Sequence, residues 1–246
     1  MSLNSSVRMF GQLRCRVIDA IPVGESPKLL VIFNHGFGAS GDDLIDFGPM
    51  LIESSESIAA SCRFVFPAAP IDLTPLGMPG GLAWWPINMA KLAEINQTQD
   101  FDQLIRLEPP GMADAGAMLF QAINAALEES GVAASQLVLG GFSQGAMACT
   151  QVALTHCLHP ALLVLFSGTL LHREEWKRLA DLHPGCEVLQ SHGRQDPILP
   201  FGAAVQLREL LCGANFHVDF IEFNGAHTIP MNVLQRLQEL IEKQVG

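Results

Sequence analysis

Three residue types that together can transfer an acyl group stand far apart in this chain. Ser143 lies in Gly141-Phe142-Ser143-Gln144-Gly145, a G-x-S-x-G pattern. A serine hydroxyl is a poor nucleophile until a base takes its proton. A histidine base in turn needs a carboxylate to fix its tautomer and stabilise its charged form. His227 follows Asn224-Gly225-Ala226, and Asp196 closes Ser191-His192-Gly193-Arg194-Gln195, just ahead of Pro197. The chemistry expected of this set is attack of Ser143 on a carbonyl carbon, with His227 as general base and Asp196 behind it. Each residue also has a plainer reading: a Gly-rich strand-to-helix turn, an aspartate that forms a turn before proline, and a loop histidine. Asp181 and Asp219 are rival acids, one ahead of a strand and one within it. His217 sits within a strand, and His192 shares the loop of the acid.

Strand ends must position these groups. The apolar run Leu137-Val138-Leu139 reads as a buried strand entering the serine motif, and Gly145, Ala146 and Ala148 open a helix able to pack close to a sheet. Strand, sharp turn and helix would hold Ser143 in a strained conformation with its hydroxyl lifted out of the sheet. Side chains at the flanking glycines would collide there. Further strands are predicted at 15–20, 29–33, 63–66, 161–166, 187–189 and 216–223. Helices are predicted from about residue 44, over 113–129 with Gly131 as stop, over 201–211, and over a terminal stripe of Val233, Leu234, Leu237, Leu240 and Ile241. Strands alternating with helices imply an α/β domain, a mostly parallel central sheet with helices on both faces. Ser143, Asp196 and His227 each follow a strand, where open α/β sheets place their sites. No repeat or linker divides the chain, so 1–246 reads as a single domain.

Residues 71–111 lack clean periodicity. They carry Gly and Pro from Pro75 to Gly81, then Trp84-Trp85-Pro86. A long irregular stretch in a compact domain is usually functional. It is expected to be a loop or lid rather than a core element, walling an acyl pocket with Trp84 and Trp85 as its apolar surface.

Composition removes several classes of function. The chain has 246 residues, of which 49% are hydrophobic, enough to bury a core. Its 14 basic against 25 acidic side chains give a net charge of −11. Nucleic acid and anionic membrane surfaces both call for a basic face, so neither is an expected partner. No segment approaches the roughly 20 apolar residues of a membrane span. The first 17 residues carry no apolar signal core. The 6 cysteines form no C-x-x-C pair and read as buried reduced thiols, so a cytoplasmic location is expected. His156, Cys157 and His159 share a helix end, but no further cluster with ligand spacing joins them, and no metal is expected.

Gly36-Phe37-Gly38-Ala39-Ser40-Gly41 fits the dinucleotide pattern G-x-G-x-x-G between a strand and a helix. That pattern also needs a carboxylate after the next strand to hold ribose. Here that strand runs into Phe66-Pro67-Ala68-Ala69-Pro70, which has none. No cofactor is therefore expected. The glycines read instead as a loop that bares backbone N–H groups beside the nucleophile. Ester cleavage passes through an oxyanion, and the N–H after the nucleophile, Gln144, is one natural donor. The second donor should come from the early strand-to-helix loop, where Phe37 fits. His35 reads as a brace of that loop.

With FNHGFGASGDD at 33–43, FPAAP at 66–70, AWWPI at 83–87, LGGFSQGAMA at 139–148, SHGRQDPILP at 191–200 and NGAHTIP at 224–230, the chain resembles the phospholipase/carboxylesterase family, which includes the acyl-protein thioesterases. The resemblance implies a compact α/β-hydrolase fold without a large cap domain. It also implies Ser143, Asp196 and His227 as triad, Phe37 and Gln144 as oxyanion donors, and the Trp84 region beside the acyl site. The chain departs from the family pattern at Ala146, often Gly, and at Trp84-Trp85-Pro86, often Trp-Phe-Asp. The 87–111 segment is longer than usual. These departures touch the substrate side. The expected activity is therefore carboxylesterase action on small-molecule esters of small to medium acyl chains. Alternatives are an acyl-protein thioesterase or lysophospholipase and, from another class, an inactive hydrolase fold used for binding. Homodimerisation stays open.

Overall fold

The computed structural model describes residues 2–98 and 100–246. A hairpin of β1 (Asn4–Phe10) and β2 (Leu13–Asp19) precedes β3 (Leu29–Asn34). Helices α1 (Phe47–Ser54) and α2 (Glu56–Ser61) lead to β4 (Cys62–Pro67). A short ribbon, β5 (Ile71–Asp72) with β6 (Leu82–Ala83), is followed by α3 (Met89–Thr98), α4 (Phe101–Ile105) and α5 (Met112–Ser130). Strand β7 (Leu137–Phe142) turns into α6 (Gln144–Thr155), then come β8 (Leu162–Phe166) and α7 (Arg173–Ala180). The chain closes with β9 (Glu187–Gly193), α8 (Phe201–Gly213), β10 (His217–Phe223) and α9 (Met231–Val245).

Among the described residues, eight strands form one sheet in the order β1-β2-β4-β3-β7-β8-β9-β10. Every neighbour pair from β4 to β10 is parallel, and β1 and β2 add an antiparallel edge. The central strands are apolar throughout because both faces are covered. Leu30, Ile32, Leu137, Leu139, Leu163 and Leu165 face a core built with α5, α6, α7 and α8. Their neighbours Val31, Phe33, Val138, Val164 and Phe166 face a second core built with α1, α2 and α9. The parallel run puts the carboxyl ends of β3, β7, β8, β9 and β10 on one edge, and the loops that follow them make the site.

Several elements differ from the sequence expectations. β1 shows no apolar alternation because only Phe10 of it is buried. The helix expected from residue 44 starts at Phe47, with Asp42 and Asp43 in turns ahead of it. Helix α7 was hidden in a charged segment: only Trp176 and Ala180 are buried, while Glu174 and Glu175 open it and Lys177 and Arg178 close it, as suits the helix dipole. The larger correction is at 71–111, which is not a structureless loop. It holds the ribbon and two helices, and Trp84, Trp85, Leu92, Ile95, Leu104 and Ile105 join the core. Asp100 caps α4 by accepting from Gln103 N–H. Nor are all the cysteines buried: Cys15, Cys62 and Cys149 are, with burial pushing their thiols up to about 12, but Cys157 and Cys212 are exposed.

Candidate active site

The turn between β7 and α6 is as tight as two backbones allow. A Cβ at Gly141 would stand 2.4 Å from Gly145 C, and one at Gly145 would stand 2.0 Å from Asn34 O. Ser143 is forced to φ 55°, ψ −118°, a conformation that non-glycine residues rarely hold. Its N–H is anchored on Phe166 O of the next strand at 2.8 Å. Ser143 thereby lines a small cavity of ≈ 130 Å³ together with Gly36, Phe37, Phe142, Met147 and His227.

His227 and Asp196 arrive from the ends of β10 and β9. Their loops are stitched by Arg194 N–H to Phe223 O (2.8 Å) and Gln195 N–H to Gly225 O (3.0 Å). At Gly193 a Cβ would lie 2.4 Å from Gly225 O, so only glycine permits the approach. His227 Nδ1–H donates to Asp196 Oδ2 at 2.6 Å, and the imidazole leans on the Phe142 ring with centroids 4.7 Å apart. The other carboxylate oxygen, Oδ1, accepts from Ile198 N–H (2.8 Å) and Leu199 N–H (2.9 Å). Burial pushes the Asp196 carboxyl up, but hydrogen bonds from His192 and His227 outweigh it and hold the group well below the usual carboxylate range. Asp219 is engaged elsewhere, pairing with Arg236 at 2.7 Å.

The β3–α1 loop lies against Ser143, since a Cβ at Gly36 would touch Ser143 Cβ at 3.3 Å. Among the described residues no acceptor engages Phe37 N–H or Gln144 N–H. His35 braces this loop. Its Nε2 accepts from Ala69 N–H (3.0 Å), so Nδ1 carries the hydrogen and donates to Gly36 O (2.8 Å). Burial lowers its pKa. Both ring nitrogens are committed, which leaves His35 no lone pair for proton transfer.

The two tryptophans part company. Trp84 is buried, and its indole N–H donates to His35 O at 3.0 Å. Of the two residues expected to face a pocket, only Trp85, equally buried, lines an apolar cavity of ≈ 350 Å³, with Ile87, Leu92, Ile95, Leu104 and Leu171. Ile87, Leu92, Met147 and Leu199 line both this cavity and the smaller one at Ser143. Three contacts escaped the sequence reading. The Gln144 side chain accepts from Trp84 N–H (3.0 Å) and donates to Trp85 O (2.8 Å), clamping the 84–85 segment to the Ser143 turn. Phe142 packs on His227, and His192 touches Asp196. No sequence spacing signals the first two, which join residues more than fifty positions apart, and the third joins neighbours whose contact is set by how the loop after β9 folds back.

Cys157 and His159 do meet a third residue of ligand type, His183, within 4.8 Å. His183 is already spent, because Nε2–H donates to Leu158 O (2.9 Å) and Nδ1 accepts from Gly185 N–H (3.0 Å). Two free donors hold a metal poorly.

A mostly parallel sheet with a strained serine at a strand-to-helix turn, and an acid–histidine pair at the ends of the last two strands, defines the α/β-hydrolase fold. Solved structures agree. The chain is similar to esterase PE8 (TM-score 0.73, 22% identity, 99% of both chains) and to a carboxylesterase from Mesorhizobium loti (TM-score 0.70, 16% identity, 96% of this chain and 97% of that one). Residues 20–245 match the phospholipase/carboxylesterase family, and the chain belongs to it. It is a hydrolase of carboxylic esters. Curated relatives include acyl-protein thioesterase 1 of Candida albicans, 27% identical over 89% of this chain and 95% of the relative. The protein of that name from Debaryomyces hansenii is 28% identical over 87% of this chain and 91% of the relative.

Proposed function

We propose that the protein is a serine carboxylesterase that works through an acyl-enzyme, with Ser143 as nucleophile, His227 as general base and Asp196 as its orienting acid. The observation that carries this reading is the 2.6 Å bond from His227 Nδ1–H to Asp196 Oδ2, made by an imidazole that shares a cavity with Ser143. Ser143 Oγ attacks the carbonyl carbon while its proton passes to His227 Nε2. The oxyanion forms against Phe37 N–H and Gln144 N–H, two donors without an acceptor among the described residues. Collapse expels the alcohol with the proton from His227, and a water repeats the sequence on the acyl-enzyme. Asp196, held ionised, favours the imidazolium in both steps.

The acyl chain is assigned to the larger cavity, reached past Ile87, Leu92, Met147 and Leu199. Its ≈ 350 Å³ suits a small to medium chain. Each buried methylene contributes about 0.8 kcal/mol, so kcat/KM should rise with chain length until the cavity is full. The thioesterase names of the curated relatives support a second reading, in which the same acyl-enzyme forms from a thioester. Six cysteines free of disulfides fit a cytoplasmic location, and no described helix is long and apolar enough to cross a membrane. The family match over 20–245 supports reading 1–246 as one domain. The test is a panel of p-nitrophenyl esters and matched thioesters with a fluorophosphonate probe. Labelling at any residue other than Ser143, or no turnover of either ester class, overturns the reading.

A further inference from the structure

Asp196 is touched by two histidines, and only one of them faces the nucleophile cavity. The other, His192, lies on β9 with a fully buried ring. Its Nε2 is 3.0 Å from Leu199 O, which can only accept, so Nε2 carries the hydrogen. The same nitrogen lies 3.3 Å from Asp196 Oδ2, the oxygen that receives His227. Leu199 closes the ring from the other side, its N–H donating to Asp196 Oδ1 at 2.9 Å. Nδ1 of His192 is buried and has no partner among the described residues. An orphaned ring nitrogen destabilises the fold, and an apolar side chain of similar size would fill the space without that cost. A histidine held there at a loss points to a job for the N–H on its other side.

We propose that His192 is a positioning residue for the acid: its Nε2–H edge fixes the orientation of the Asp196 carboxylate and shares the charge on the oxygen that holds His227. This rests on the reading of Asp196 as the orienting acid. With His192 in place, Oδ2 divides its charge between two N–H groups. Without it, Oδ2 pulls on the imidazole alone, so the imidazolium is stabilised and the base releases its proton at higher pH. Among the described residues no Lys or Arg competes for Oδ2. Arg194, two residues away, is turned onto Glu222, and Arg208 of α8 lies over the Phe220 ring. Asp43 lines the cavity in wild type and variants alike.

The test uses two side chains of similar size. Gln places an amide N–H near the position of the histidine Nε2, and Met has no donor. His192→Gln should keep kcat within about threefold and leave the pH profile unmoved, about 0.7 kcal/mol at most. His192→Met should lower kcat by roughly ten- to a hundredfold with KM on a short ester unchanged, and should move the acid limb of kcat/KM up by about half a pH unit, since paired charges shift one another on this scale. A merely structural histidine would lower thermal stability without moving that limb. An unmoved acid limb in His192→Met, or a Gln variant as impaired as the Met variant, overturns the proposal. Should the Met variant not fold, ¹⁵N-histidine spectra of the wild type decide. The Nε2–H tautomer at His192 is required, and the Nδ1–H tautomer overturns the proposal. Failure of the esterase reading would look different, because Ser143→Ala and Asp196→Asn would then keep activity.

Discussion

The nucleophile turn and the acyl wall meet at Gln144, and they are built by opposite means. In the turn, backbone touches backbone: the Gly145 position leaves 2.0 Å to Asn34 O, and Gly141 leaves 2.4 Å to Gly145 C. All of α6 from Gln144 to Leu154 is buried. The wall is held by side-chain area. Helices α3 and α4 bury Leu92, Ile95, Leu104 and Ile105 against the core, and two hydrogen bonds from Gln144 pin the segment that precedes them. A backbone contact admits one residue type, so it leaves a fixed pattern in the chain. An apolar wall accepts many side chains of similar volume, so its pattern is loose and its shape can change with the substrate.

The turn should therefore break in steps of large size. Ser143→Ala removes the nucleophile alone and should cost on the order of 10⁶ in kcat, since members of such a set act as a unit. Its circular dichroism should match the wild type, and fluorophosphonate labelling should vanish. Asp196→Asn should cost on the order of 10⁴ in kcat by freeing the wrong histidine tautomer. An Asp196→Asn enzyme with near-wild-type turnover would show that the 2.6 Å bond to His227 is not used in the reaction.

Gly145→Ala tests the packing half of the comparison. The new methyl has no room, so the variant should lose about 3 kcal/mol or more, read as a fall of roughly 6–12 °C in Tm for a chain of this size. Gly213→Ala, at the end of α8 with nothing within 4 Å of the added Cβ, is the control. It should stay within about 0.5 kcal/mol of the wild type. A Gly145→Ala protein as stable as that control would mean the turn relaxes, and the contrast with the wall would dissolve.

The same contrast explains what could be read from the chain. Continuous apolar runs such as Leu137-Val138-Leu139 exist because both faces of the sheet are covered, and they announced the strands. The glycines at 141, 145 and 193 marked the places where main chains touch, and those places carry Ser143 and bring Asp196 to His227. Helix α3 hid because it buries little beyond Leu92 and Ile95, a stripe too narrow to stand out. Strand β1 hid because its outer face is solvent. The Gln144 clamp and the Phe142–His227 contact were silent because each joins side chains brought together only by the completed sheet, and the His192–Asp196 approach was silent because it depends on the turn that folds the loop after β9 back on its strand.

The smallest effect separates the two tryptophans, which sit side by side in sequence but serve different regions. Trp85 lines the ≈ 350 Å³ cavity, where the proposed function places the acyl chain. Trp84 belongs to the turn through its N–H on Gln144 and its indole on His35 O. Trp85→Ala leaves the backbone oxygen that Gln144 holds, but it removes a buried side chain along with the wall, so it should also lower thermal stability. It should flatten the rise of kcat/KM from acetyl to octanoyl esters, because each methylene loses part of its roughly 0.8 kcal/mol. Trp84→Phe keeps most of the apolar volume but leaves His35 O without its donor, a cost of about 1–3 kcal/mol. His35 braces the oxyanion loop, so this variant should lower kcat/KM for every chain length by the same factor, on the order of tenfold. Thermal melts run in parallel show whether either change is one of stability alone. If Trp84→Phe flattens the profile while Trp85→Ala scales it, the two side chains have exchanged the roles argued for them, and the boundary between turn and wall runs on the other side of Trp84.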